Sequence, residues 1–596
     1  RARFSADMTS MRTEDKEPNR IPLAYGNSGF YALGQMTGNI YYTDLLASYR
    51  KAITPDFELG AMVGYTATRN QEVYVQRETS GGLSVRNWYD LNGSVDLARF
   101  NARYNYRRYM LRDAVFGTIN GNFKDFWFIE GTLRRERIST MHPDNNVLYY
   151  PSVNSSLILN EAFELPSVFS YAKLRASWGI VGNYPQVYQS PLSYSQNTLG
   201  NQGTGRSVLY TLIPTSEFGN EGIKPETKQE VEFGLEARFF NNRLGLDVTY
   251  YNGQIRDQIL NYTLPISSGS SSILANVGTL RNKGWEFAIN GTILNNTNFR
   301  WNSTLNFSMN RNIVEALPGG ASELSHTYFD GDAAHLVSRV GRPIGDLFVR
   351  PVLEDENGNK VVGENGLYLL DPNKWKYAGN VMPKVVGGFI NTFSYKNFTL
   401  DALIDVRWGG QVMPTGIAWM TSRGLTQESL NGMDAEHGGI SYYLDANGKG
   451  VAYNGTQGPN GEKIYHDGIL LEGVLADGTP NTNVISHVTY YALTYNWGGP
   501  QYNSQSRYEL YVKDNNYIKM RELSLGYRLP ASIASKLKAK NLQLSVFGRN
   551  LFFIYRSIKD LDPEQMTGGS HWTRQVNNAG VGPATRTFGA MLRASF

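Results

Sequence analysis

Along residues 228–251, apolar and polar positions alternate with period two. Val231, Phe233, Leu235, Ala237 and Phe239 share one face, and Glu232, Glu236 and Arg238 share the other. After Asn241 and Asn242 the alternation resumes, with Leu244, Leu246, Val248 and Tyr250 opposite Gly245, Asp247, Thr249 and Tyr251. Period two predicts strands. The Asn pair predicts the turn between them, because Asn tolerates the positive φ of a tight hairpin. The polar face carries charges of both signs, so it looks onto water or a polar lumen.

The pattern recurs along the chain. Residues 1–12 read as the end of a strand and 13–37 as loop-like. Strands are predicted over 40–52 and 57–75, around a turn at Thr54, Pro55 and Asp56. Further strands follow at 114–122 and 126–138, joined at Lys124-Asp125, and at 147–159 and 171–181. Trp285, Phe287, Ile289 and Ile293 alternate with Glu286, Ala288, Asn290 and Thr292, and 299–312 returns. Strands at 385–395 and 398–408 flank Lys396-Asn397. In the second, Phe398, Leu400, Ala402, Ile404, Val406 and Trp408 oppose Asp401, Asp405 and Arg407. The last are 518–529, 542–550 and 587–596. Short turns alternate with long polar loops at about 184–224, 313–382, 413–506 and 556–582. This is the asymmetry of an outer-membrane barrel with brief periplasmic turns and long extracellular loops. The expected fold is all-β, a transmembrane antiparallel β-barrel with about sixteen strands in this chain, and 1–596 is read as one partial barrel domain.

Composition agrees. Cysteine is absent, while Gly (61) and Tyr (38) are frequent in 596 residues. Mean hydropathy is −0.38, and no run approaches the roughly 18 apolar residues of a spanning helix. That excludes helical spans only, since a barrel strand shows every second side chain to lipid. Tyr and Trp near strand ends, among them Tyr149, Tyr150, Tyr250, Tyr251 and Trp408, fit aromatic girdles at outer-membrane lipid interfaces. The formal charge of +4 and the lack of a basic run leave no case for nucleic acid. The chain opens on Arg1-Ala2-Arg3-Phe4 without a leader, so it is expected to continue a longer precursor.

Catalytic chemistry is not expected. None of the seven histidines stands in HExxH spacing. Glu354–Asn359 and Asp445–Gly448 are rich in oxygen ligands but lack the closing glutamate of a calcium loop, so they are read as turns and no metal is assigned. Asp401 and Asp405, four residues apart on a strand, lie about 13 Å apart and make no glycosidase pair. They belong with Glu232, Glu236, Arg238, Asp247, Glu286 and Arg407 as lumen-lining charges that form a hydrated wall.

Several segments resemble the SusC/RagA-type TonB-dependent transporters of the Bacteroidetes outer membrane. They are SWGIVGN (177–183), IKPETKQEVEFGLEARFFNNRLGLDVTYYN (223–252), NVGTLRNKGWEFAINGTIL (276–294), VGRPIGDLFVR (340–350), YVKDNNYIKMRELSLGYRLP (511–530) and LQLSVFGRNLFFI (542–554), with Asp562-Pro563-Glu564 after the last. The resemblance implies a 22-stranded barrel with an N-terminal plug, whose arginines are the alternative partners for Asp401, Asp405 and the other lumen charges. Plug, TonB box and about six strands would precede Arg1. It also implies a SusD-like lipoprotein lid, energy from the TonB-ExbB-ExbD complex, a Gram-negative outer-membrane location, and a dimer of transporter–lid pairs as one arrangement. No cofactor is implied. The function expected is import of large nutrients, oligosaccharides first and oligopeptides second. A passive porin or structural barrel is the alternative of another class. Substrate contact is expected from loop aromatics that stack on sugar rings or grip peptide side chains: Tyr184, Tyr188, Tyr328, Trp419, Tyr442, Tyr443, Tyr491, Tyr495, Trp497 and Trp572.

Overall fold

A computed structural model describes residues 1–19, 29–96, 101–191, 195–199, 208–212, 219–263, 267, 270, 272–329, 332–496, 505–565 and 584–596. Sixteen strands are hydrogen-bonded in antiparallel chain order. They are β1 (Ala2–Glu17), β2 (Phe30–Thr54), β3 (Phe57–Glu78), β4 (Asn101–Phe123), β5 (Trp127–Ile138), β6 (Val147–Ile158), β7 (Phe169–Asn183), β8 (Glu226–Phe239), β9 (Leu244–Arg256), β10 (Thr279–Asn295), β11 (Phe299–Ala316), β12 (Val385–Tyr395), β13 (Phe398–Trp408), β14 (Tyr517–Arg528), β15 (Asn541–Arg556) and β16 (Thr587–Ser595). No helix among the described residues is long and apolar enough to cross a membrane.

Connections alternate as the pattern predicts. At one end they are 55–56, 124–126, 159–168, 240–243, 296–298, 396–397 and 529–540; at the other they run from the brief 139–146 to 317–384 and 409–516. Lys124, Asp125 and Lys396 take φ of 49°, 54° and 52°. The β8–β9 turn is longer than the Asn pair: Phe240, Asn241 and Asn242 all have φ near +60° (55°, 55° and 63°).

The chain divides into two compact units. The first comprises Arg1–Glu164, Lys173–Phe233 and Gly253–Thr279. Here β1 pairs with β2 over its whole length, from Ala2 opposite Leu45 to Glu17 opposite Phe30. The expectation that 13–37 is loop-like is therefore corrected for 13–17 and 30–37, which are strand, while 20–28 lie outside the described residues. The segment misled because Arg12, Glu14 and Lys16 pair with one another at 2.6 and 2.8 Å, so a strand end is polar without being a loop. One face of this sheet carries the exposed Val63, Ile119, Leu133 and Val153. Phe116, Arg134 and Tyr150 form a cross-strand row on the other.

The second unit comprises Leu165–Ala172, Gly234–Asn252 and Leu280–Phe596. Its rows are continuous across six strands. Trp301, Phe393, Leu400, Leu525, Val546 and Ala590 stand side by side on one face. Asn302, Thr392, Asp401, Ser524, Phe547 and Gly589 stand on the other. On the apolar face Asn391 accepts the Trp301 indole N–H at 2.9 Å, which removes the cost of an unpaired amide oxygen. Exposed apolar rows of this extent demand an apolar cover. The ladder of backbone bonds is what lets such strands cross lipid.

The buried core lies in the long connections instead. The strands Glu323–Phe329, Ala334–Arg339, Asp346–Val349 and Lys376–Asn380 form a four-stranded sheet. Leu336, Leu347 and Val349 of this sheet pack with Met413, Tyr491, Tyr495, Tyr508 and Tyr511.

Candidate functional site

The inner face of β13, β14 and β15 holds the densest charge network described. It depends on a break in alternation. Strand β14 shifts register at Arg521 against both neighbours, with Leu403 opposite Glu522 but Ile404 opposite Met520. A bulge re-aims the residues on either side, so Lys519 and Glu522 face inward despite unlike parity. Arg521 bonds Asp405 on β13 and donates to Asn550 at 2.7 Å and to both Glu564 oxygens at 2.8 Å. Lys519, 2% exposed, donates to Glu564 at 2.8 Å and to Asp562 at 3.2 Å. The Asp562-Pro563-Glu564 segment is thereby tied to the inner wall. Burial alone would raise the Glu564 carboxyl, but bonds from Arg521 and Lys519 outweigh it and hold it below its ordinary value.

Of the predicted lumen-lining charges, Asp247, Glu286 and Asp405 come together around a cavity of about 530 Å³ with Thr249, Asn306 and Ser308. Asp401 lines a neighbouring cavity with Ile390, Glu522 and Arg593 and accepts a 2.6 Å bond from Thr392. Glu236 and Arg238 pair with each other at 2.9 Å, and Glu232 is half-buried. Arg407 stands beside Tyr517, with a buried Nε that lacks a hydrogen-bond partner among the described residues. Asp405, expected to pair with a plug arginine or to form a hydrated wall, is bonded by Arg521 of this chain.

The predicted loop aromatics divide. Tyr184 donates to Glu136 at 3.1 Å beside Tyr150, within the wall of the first unit. Tyr491 and Tyr495 are buried, and their hydroxyls reach the Glu428 carbonyl (2.8 Å) and carboxylate (2.5 Å). Burial pushes the Tyr491 phenol up to about 12, and burial with the Glu428 bond raises Tyr495 further. Tyr442, also buried, stacks on Tyr465 at 5.4 Å. Those three rings therefore serve loop packing. Tyr443 meets Tyr453 edge-on, and Trp419 is half-buried on the helix Thr415–Ser422. Tyr188 is exposed, with φ of 66°. Trp497 and Trp572 lie outside the described residues.

Tyr328 stands apart from the packed rings. It is 56% exposed and lies flat on His335, with centroids 4.0 Å apart and planes 9° apart. Trp375 stands 5.4 Å from His335, and the Arg350 guanidinium caps Trp375 at 3.6 Å. Burial holds the His335 imidazole below its ordinary range, and its Nε2 lies 2.8 Å from Ser325 Oγ. Trp375 and His335 were missed because they sit where the sequence shows only loop composition. The two oxygen-rich segments are turns: Asp355 accepts from Asn357 and Asn359 at 2.9 and 2.8 Å, and Asp445 from Asn447 and Lys449 at the same distances.

A wall of antiparallel strands, apolar outside and charged inside, with long folded loops on alternate connections, defines a transmembrane β-barrel protein. The family described as "TonB dependent receptor-like, beta-barrel" matches residues 10–412, and the chain belongs to it. Its members are outer-membrane proteins of Gram-negative bacteria. TonB-dependent receptor P3 of Formosa agariphila is 26% identical over 517 residues, covering 81% of this chain and 45% of that protein. TonB-dependent receptor SusC of Bacteroides thetaiotaomicron is 25% identical over 410 residues, covering 63% and 38%. A structure titled the RagAB peptide transporter superposes with a TM-score of 0.72 at 18% identity, over all of this chain and 60% of that one. The chain thus spans about half the length of the curated relatives it matches.

Proposed function

We propose that this chain forms the wall of an active outer-membrane importer for nutrients too large for passive pores. The observation that carries the reading is the inner-wall network, in which Lys519 and Arg521 hold Asp562 and Glu564 against β13 and β14. A loop tied into the charged face suits a gated passage better than an open porin. Substrate is held between the barrel and a SusD-like lipoprotein lid. The TonB-ExbB-ExbD complex acts on a plug and supplies the energy. No covalent chemistry is performed. The long loops lie outside the cell and the short turns face the periplasm.

Oligosaccharide is the substrate class favoured here, because Tyr328 offers a flat ring face supported from beneath by His335, the geometry a sugar ring stacks on. Oligopeptide is the second reading. It is favoured by the fold likeness to RagAB, described as a peptide transporter. The test is purification of the intact receptor in mild detergent, with mass spectrometry of its companions and bound small molecules. A lipoprotein with a glycan is the expected result, and a lipoprotein with peptide selects the second reading. A lone barrel that conducts ions freely contradicts both.

A further inference from the structure

Strands that carry acids on the inner face carry cations on the outer one. A cleft of about 900 Å³ is lined by Tyr250, Lys283, Trp285, Met309, Arg311 and Lys384, among others, and no carboxylate lines it. None of its three cations has an ion-pair partner among the described residues. The cavity on the same strands lined by Asp247, Glu286 and Asp405 has acids and no cation.

The orientation of the cleft follows from Gly284. A Cβ there would meet the Tyr251 hydroxyl at 2.5 Å, and that hydroxyl bonds Asn310 at 3.1 Å on the inner face. By alternation Lys283, Trp285, Met309 and Arg311 point to the outer face. There the rings of Tyr250, Trp285, Phe287 and Phe307 follow one another at 4.9, 6.0 and 4.6 Å. Height follows from strand geometry. At roughly 3.3 Å per residue and a tilt of about 40°, Lys283 and Arg311 stand about 30 Å from the turn 296–298, and Trp285 about 25 Å. The apolar band of such barrels is about 25 Å tall. The indole therefore sits at the border of the band and the cations one step above it, at headgroup level.

We infer that this cleft binds a phosphate-bearing glycolipid of the outer leaflet. Lys283, Arg311 and Lys384 take the phosphates, Trp285 and Tyr250 lie at the sugar–acyl junction, and Met309 packs on the root of the chains. Charge-assisted bonds to phosphate are the strong ones, and amphipathic rings prefer this depth. The assignment rests on the reading that the sheet spans the outer membrane.

The experiment uses the intact receptor extracted in detergent, stripped of lipid and titrated by native mass spectrometry. The probes are a diphosphorylated glycolipid, its dephosphorylated counterpart and inorganic phosphate. The diphosphorylated lipid binds at one copy per chain. Its dephosphorylated counterpart binds at least about tenfold more weakly, and so does the diphosphorylated lipid to K283Q/R311Q. K283R/R311K keeps the charge and retains binding, and K538Q, a charge removed at the opposite strand ends, leaves it unchanged. Heat-modified gel migration checks that each variant is folded. Equal binding of the dephosphorylated lipid, or unchanged binding by K283Q/R311Q, overturns the site. Inorganic phosphate that competes as well as the lipid overturns the lipid source and assigns a free anion. A receptor released from membranes without detergent overturns the membrane reading itself, an outcome distinct from the others.

Discussion

Arg521 joins three chain segments through one guanidinium: Asp405 on β13, Asn550 on β15 and Glu564 in the connection beyond. Removing it leaves two part-buried carboxylates facing each other. A fully buried pair broken this way costs about 3–5 kcal/mol, and partial exposure reduces that to about 2 kcal/mol for Arg521→Gln. The expected readouts are a lower unfolding midpoint in detergent and faster hydrogen exchange over 557–565. The same network has a pH signature. Glu564 is held below its ordinary 4.5, so the unfolded chain binds its proton more readily than the folded one. The stabilisation is complete above about pH 4.5 and is lost as pH falls through the depressed value. Exchange protection of 557–565 is therefore flat across neutral pH and drops in acid, and R521Q shrinks the drop to the part that the Lys519 bond sustains. Little of this was legible in the sequence. Period two marks Asp401 and Asp405 as inward, but it cannot place Lys519, Arg521 and Glu522 on one face, because the bulge that does so leaves no hydrophobic signature.

At the level of elements, the two faces make opposite demands on a substitution. Val546 stands on the apolar face between Leu525 and Ala590. Val546→Arg is expected to destabilise by about 2–4 kcal/mol near the bilayer midplane. Ile390 lines the inner cavity beside Asp401, and Ile390→Arg is expected to be tolerated. Urea unfolding in lipid vesicles measures both; equal costs would refute the assignment of faces. The β8–β9 turn gives a further test. Asn242, at φ 63°, should accept Gly and lose about 1 kcal/mol or more with Val. Alternation made the strands readable, since a half-lipid, half-water environment imposes it directly. It failed at strand ends: residues 13–17 of β1 are polar on both faces, and the apolar start of β2 follows a polar connection. The loops were least readable. Tyr491 and Tyr495 have the composition of binding residues, yet they serve as the core of a loop layer whose packing depends on contacts distant in sequence.

For the whole molecule, family membership and the two-faced wall place the chain in an outer-membrane barrel, and the inward-tied loop gives the case for gated import. Gated import needs energy; a pore does not. The decisive measurement is uptake of a labelled oligosaccharide by intact cells carrying the natural receptor, before and after an uncoupler collapses the inner-membrane proton gradient. Accumulation above the external concentration that stops on uncoupling is the predicted result. Uptake that continues unchanged and never exceeds the external concentration would contradict it.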